Sequence, residues 1–189
     1  SLGAGLRVDG VAYTFPIGEK TTMIVGADTD GSALFTTACV YGGPGNMLDD
    51  CANVNAGITG GGATVGASYD FGNGFTAAFG AQTTEASVFT EESGDAYALN
   101  AAYTADKYAI SLTYGVVEAV DANDALTDEE DKFTAINAYY TPDADGLPSI
   151  SVGYEFGDIG GAAAGADEQA SFMVGLTWDE VGPGSAGVA

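Results

Sequence analysis

The sequence predicts an all-β protein, an antiparallel up-and-down transmembrane β-barrel of which about nine to ten strands are visible. Three observations carry this expectation. Large apolar residues alternate with small or polar ones at period two, and helical periodicity is nearly absent. Short and long connections follow each other in strict turn. Acidic residues gather in the long connections and leave the strands almost uncharged.

The alternation is clearest in the second half of the chain. Tyr97, Leu99, Ala101 and Tyr103 interleave with Ala98, Asn100, Ala102 and Thr104. Tyr108, Ile110, Leu112, Tyr114 and Val116 interleave with Ala109, Ser111, Thr113 and Gly115. The same holds for Ile150, Val152, Tyr154 and Phe156 against Ser151, Gly153 and Glu155. Phe172, Val174, Leu176 and Trp178 repeat it against Ser171, Met173, Gly175 and Thr177. Strands are expected at about 5–15, 21–28, 62–70, 75–84, 96–104, 107–117, 132–141, 149–157 and 169–178, with a tenth starting near Ser185 and running out at Ala189. Most have the length that a tilted strand needs to cross a bilayer, about nine to eleven residues.

The connections Pro16–Lys20, Phe71–Gly74, Ala105–Asp106, Pro142–Pro148 and Asp179–Gly184 are short or compact. Between them fall the long ones, Thr29–Gly61, Glu85–Asp95, Glu118–Asp131 and Asp158–Glu168. A soluble sandwich has no reason to place every long loop at one end of successive hairpins. An outer-membrane barrel does, with tight periplasmic turns and long external loops. Counting Asp28 with the first long connection and Asp70 with a short turn, two-thirds of the 27 acidic residues fall in the long connections, and only Asp9 and Glu155 remain within expected strands. The apolar face is therefore uncharged, as a lipid-facing band must be. Tyr13, Phe15, Tyr69, Phe71, Phe75, Tyr103, Tyr108, Tyr139 and Trp178 lie near short turns, and Tyr97, Tyr114, Phe133, Phe156 and Phe172 near the long-loop ends. Two aromatic belts at opposite strand ends mark the two interfaces of a membrane.

Composition excludes several functions. Four basic residues against 27 acidic ones give a net charge of −23. So few cations cannot neutralise a phosphate backbone, which excludes nucleic acid as a partner. Without histidine, and with two cysteines, neither the usual zinc or copper site nor a Ser-His-Asp triad can be assembled. A hydrophobic content of 46% is too high for a disordered acidic chain. No apolar run reaches the length of a transmembrane helix, about 18 residues. The chain opens at Ser1 with no initiator Met and no signal peptide, so it is expected to be processed or to be a segment of a longer protein. Cys39 and Cys51 share one polar stretch and, outside the cytosol, are expected to form a disulfide rather than two reduced buried thiols.

Chemical motifs are weak, and no enzymatic activity is expected. The run Asp128-Glu129-Glu130-Asp131 offers oxygen ligands to divalent cations, but a solvated loop is the simpler reading. Asp28 and Asp30 suggest a calcium loop whose closing carboxylate is missing. The run Gly60-Gly61-Gly62 lacks the lysine and the helix of a phosphate loop, and is expected to join a loop to a strand. Arg7 and Asp9 are a candidate lumenal pair, and Glu155 is the best lumenal acid. No resident cofactor is expected.

Three stretches resemble cyanobacterial outer-membrane porins. They are Val8-Asp9-Gly10-Val11-Ala12-Tyr13-Thr14-Phe15-Pro16-Ile17-Gly18-Glu19, then Tyr140-Thr141-Pro142-Asp143 through Leu147-Pro148-Ser149-Ile150-Ser151-Val152-Gly153-Tyr154, and finally Val174-Gly175-Leu176-Thr177-Trp178-Asp179-Glu180-Val181 with Gly184–Ala189. They span almost the whole chain in the expected order. The family belongs to the carbohydrate-selective porin group, some members of which are described as inorganic-ion or iron-uptake porins. The resemblance implies a homotrimeric water-filled channel in the outer membrane of a cyanobacterium. It also implies a preceding S-layer-homology domain that grips the cell wall. That domain and the remaining strands of a larger barrel are absent from residues 1–189, which form a single barrel segment.

The expected function is passive diffusion of small hydrophilic solutes and inorganic ions. Asn100, Thr104, Ser111, Thr113, Thr134, Ser151, Glu155, Ser171 and Thr177 are the candidate pore lining. Glu118, Asp121, Asp124, Asp128, Glu129, Glu130 and Asp131 form an acidic mouth that concentrates cations. The alternative is a secreted or surface-array acidic β-protein, an adhesin or a calcium-binding interaction module. It would be soluble without detergent and would bury both faces of its sheet.

Overall fold

The computed structural model describes residues 10–41, 51–59, 62–83, 94–120, 126–160, 162 and 165–189. Ten strands make one antiparallel sheet whose spatial order follows the sequence. They are β1 (Val11–Ile17), β2 (Thr21–Ala27), β3 (Ala63–Gly72), β4 (Phe75–Thr83), β5 (Asp95–Thr104), β6 (Tyr108–Val120), β7 (Leu126–Tyr140), β8 (Ser149–Asp158), β9 (Glu168–Val181) and β10 (Gly184–Val188). Among the described residues there is no helix. Among the described residues only one neighbour pairs with β1 and only one with β10, so the sheet they form is open at both edges.

A meander sends alternate connections to opposite ends of the sheet, but their lengths do not follow in strict turn: residues 121–125 between β6 and β7 make a shorter connection than residues 141–148 between β7 and β8. Local chemistry sets the tight turns. Asn73 and Gly74 both have positive φ, 55° and 86°, which matches the twist of a two-residue hairpin between β3 and β4. Gly182, at φ 62°, starts the two-residue turn from β9 to β10.

The hairpin of β6 and β7 is longer than the sequence suggests. Glu118 pairs with Glu130 and Val120 with Leu126, so the acidic tract taken for a loop continues the ladder. The four consecutive acids Asp128 to Asp131 hide the alternation there, although Val120 and Leu126 form an apolar pair nearer the tip. Pro16 and Ile17 extend β1 past its expected end. Proline is tolerated there because β1 is an edge strand. Similarly, β9 runs on to Val181, which shortens the final turn.

The two faces of the sheet invert the usual rule of burial. Ala98, Asn100, Ser111, Thr113, Ala135, Asn137 and Ser151 are buried, all small or polar. On the opposite face Leu99, Ile110, Leu112, Val152 and Val174 are exposed, and Phe172 is 80% exposed. Soluble monomers rarely leave so continuous an apolar surface bare. Tyr13 stacks on Phe15, and Phe75 meets Tyr103, at the short-turn end of this bare face.

Two aromatics depart from the expected belts. Phe133 is buried on the small-residue face with Ala56, Ala135 and Ile159. Its neighbour Thr134 therefore points to the bare face, where it pairs in register with Tyr114 and Phe156, and so leaves the set of candidate lining residues. Tyr139 also sits on the small-residue side, in register with Ala109 and Ser151. A large residue facing inward reverses the size pattern at 133–134, and size was the only guide to facing.

Candidate functional site

The small-residue face is covered from within the chain. Residues 28–41 and 51–59, both from the connection between β2 and β3, lie across it as a strap. Every strand from β3 to β9 ties the strap down through a side chain. On the outgoing limb, the N–H of Gly31 donates to Gln82 Oε1 at 2.9 Å and that of Thr36 to Asn100 Oδ1 at 3.0 Å. The N–H of Ala38 reaches Ser111 Oγ at 2.9 Å, and that of Val40 reaches Ser151 Oγ at 3.1 Å. Thr64 Oγ1 donates to the Thr29 carbonyl at 2.6 Å, fixing the start of the limb.

The disulfide Cys39–Cys51, with Cα atoms 6.0 Å apart, joins this limb to the returning one. On the return, Asn137 Nδ2 donates to the Cys51 carbonyl and Ser171 Oγ to that of Ala52. Glu155 then accepts three hydrogen bonds. Its Oε2 takes the N–H groups of Asn55 and Ala56, both at 2.9 Å, and its Oε1 takes Asn55 Nδ2 at 2.8 Å. Ile58 packs against Ala96 and Ala98 as the limb approaches β3. Gly62, at φ 130°, precedes β3, and its carbonyl accepts from Asp28 N–H at 2.7 Å, closing the base of the strap.

Sequence and geometry explain why the strap can lie so close. Small residues at the inward positions leave a flat floor, and two glycines leave no floor at all. A Cβ at Gly80 would overlap the carbonyl of Gly31, and one at Gly153 would overlap that of Cys51. The strap's own orphan N–H groups need acceptors once they leave water, and the inward Gln, Asn, Ser and Glu side chains supply them. Three small apolar clusters, around Tyr41 with Met173, Ala56 with Phe133, and Ile58 with Ala98, complete the contact.

Asn100, Ser111, Ser151 and Glu155 all lie under the strap and bind its backbone, and Ser171 binds it at 3.5 Å. Thr113 supports Asn100 from the next strand at 2.9 Å. Thr177 is buried on the same face, and Thr104 is exposed at its short-turn end. Strap residues Asp28, Asp30, Ala33, Val54 and Thr59 are exposed. Gln82 and Asn137 join the strap's anchors although neither is among the expected lining residues; both are polar residues at inward positions. On β7 the sequence expectation places Thr134 inward, whereas Phe133, Ala135 and Asn137 are the buried positions.

The expected acidic mouth is partly committed to holding neighbouring hairpins. Glu118 Oε2 accepts from Asp95 N–H at 3.0 Å, and Asp131 Oδ1 from Gly160 N–H at 2.8 Å. Glu130 pairs with Lys132 at 3.3 Å, and Glu129 is exposed. Asp121 and Asp124, the side chain of Asp128, and Arg7, Asp9, Gly60 and Gly61 lie outside the described residues. No protein-family model matches this chain, and no curated protein matches it.

Proposed function

We propose that the chain is a segment of an outer-membrane porin, a passive water-filled channel for small hydrophilic solutes and inorganic ions that prefers cations. The observation that carries this reading is the inversion of burial: large apolar side chains exposed across one face, small and polar ones buried across the other. In water, that exposed face would favour aggregation. In lipid it is the stable arrangement, because the hydrogen bonds of the sheet satisfy the backbone and hydrocarbon covers the side chains. The aromatics clustered at the short-turn end fit a membrane interface. The alternative acidic module needs both faces covered, and among the described residues only one is.

In this reading the barrel is completed by pairing at the free edges of β1 and β10, since a bilayer tolerates no open edge. The strap lies on the lumenal side and narrows the aqueous path, so a solute meets Asp28, Asp30 and Val54 before it meets the strand residues beneath. Glu129 and its acidic neighbours give the far rim a negative potential that attracts cations. Reconstitution in planar bilayers is the test. The protein should require detergent for extraction and form channels more permeable to potassium than to chloride, with the preference fading as salt screens the rim. Solubility without detergent, with no channel activity, would overturn the reading.

A further inference from the structure

Among the described residues Glu155 is the largest side chain that is fully buried, at 2% exposure. Among the described residues no lysine or arginine pairs with it. A lone buried carboxylate is costly unless hydrogen bonds replace its water, and here all three donors come from the return limb of the strap. The outgoing limb is held by neutral side chains of five strands, whereas the return limb has this one ionic attachment. Bonds to an ionised acceptor are roughly twice as strong as neutral ones. Ala56, the middle of the attachment, also sits on Ala135 and Phe133, so its position is fixed from two sides.

We infer that Glu155 is a positioning residue: it holds residues 55 and 56 against the sheet and so sets how far the strap projects into the channel, without meeting the solute itself. The inference rests on the porin reading for its consequence, but not for the attachment. In that arrangement the charge of Glu155 is spent on the strap, so ion selectivity belongs to the rim and aperture belongs to Glu155.

The test compares Glu155→Gln, Asn55→Asp and the double exchange Asn55→Asp/Glu155→Gln in the full chain. Asn55→Asp sets carboxylate against carboxylate, and Glu155→Gln replaces the charged acceptor of two backbone N–H groups by a neutral amide, which gives weaker bonds to residues 55 and 56. Each is expected to raise single-channel conductance while leaving the potassium-to-chloride permeability ratio at its wild-type value. The double exchange restores a carboxylate–amide pair and is expected to return conductance to wild type. A shift in the permeability ratio without a change in conductance would make Glu155 a lumenal charge and overturn the inference. So would a double variant that behaves as the sum of the singles. Hydrogen exchange at Asn55 and Ala56 gives a readout independent of channel activity. It should become at least about tenfold faster in Glu155→Gln, the loss expected of one charge-assisted bond, with exchange in β5 and β6 unchanged. If the wild type forms no channel, the porin reading fails, and exchange still decides whether Glu155 holds the limb; unchanged exchange there would sink the positioning role.

Discussion

The carbonyl oxygen of Cys51 lies directly over Gly153, so close that a Cβ at 153 would overlap it. The same carbonyl accepts the side-chain amide of Asn137 from the adjacent strand. Strap and sheet therefore meet at backbone distance, with a hydrogen bond to hold the contact. Gly153→Ala is expected to lift the return limb and to destabilise the protein by about 1–3 kcal/mol, the usual cost of overpacking a tight contact. Urea unfolding in detergent measures it. An unchanged midpoint would mean that the strap yields freely at this point.

The disulfide fixes the two limbs to each other rather than to the sheet. Replacing both Cys39 and Cys51 by Ser should cost roughly 2–4 kcal/mol through the freedom returned to the unfolded chain. Hydrogen bonds from Ser111 and Ser151 to the outgoing limb do not depend on the bridge, so the strap should stay on the sheet. Thermal unfolding with and without reductant is the measurement. Reductant should lower the wild-type transition and leave that of the double variant unmoved.

Leu112 separates a lipid-facing sheet from a soluble one. It lies in the middle of β6 and is 48% exposed. On a soluble protein, Leu112→Lys would change stability by no more than about 0.5 kcal/mol. Facing the middle of a bilayer, the same change should cost about 2–4 kcal/mol. Folding titrations in lipid vesicles distinguish the two, and a small cost would argue against membrane burial of this face.

The short turns carry an ion pair between Lys107, after β5, and Asp143, after β7. The hydrogen bond to Asp143 raises the lysine pKa above its ordinary 10.5, against a smaller lowering by desolvation. A group whose folded pKa is raised contributes stability below the unfolded pKa and loses it as pH rises through the folded one. The contribution should therefore be complete at neutral pH and vanish in strong alkali. Both side chains are well exposed, 46% and 74%, so the effect should be small. Lys107→Ala should lower the unfolding midpoint slightly at pH 7, and the difference should close above the lysine range. A difference that grows with pH would contradict the pairing.

Much of the sheet was legible because period-two alternation is a local property. Tyr97 to Thr104 and Tyr108 to Gly115 declare their faces without reference to anything distant, and connection lengths place hairpins end to end. The exceptions are instructive. Phe133 and Thr134 trade places because an aromatic was needed under Ala56, a contact with a residue far away in sequence. The acidic end of the β6–β7 hairpin was missed because four consecutive acids hide the alternation there.

By itself, the sequence determined an all-β meander of ten strands with one large apolar face and one small polar face. It also placed the cysteines in one polar stretch. Only the tertiary structure decided what the polar face is for. Asn55 and Glu155 stand 100 positions apart, and nothing local in either segment announces the other. The connection between β2 and β3 has no periodicity, so its path is set by where its backbone N–H groups find acceptors and where glycines leave room. Residues such as Ser111, Ser151 and Glu155, which read as a wetted wall, are instead the anchors of a strap, because buried backbone groups must be satisfied by something and these side chains are within reach.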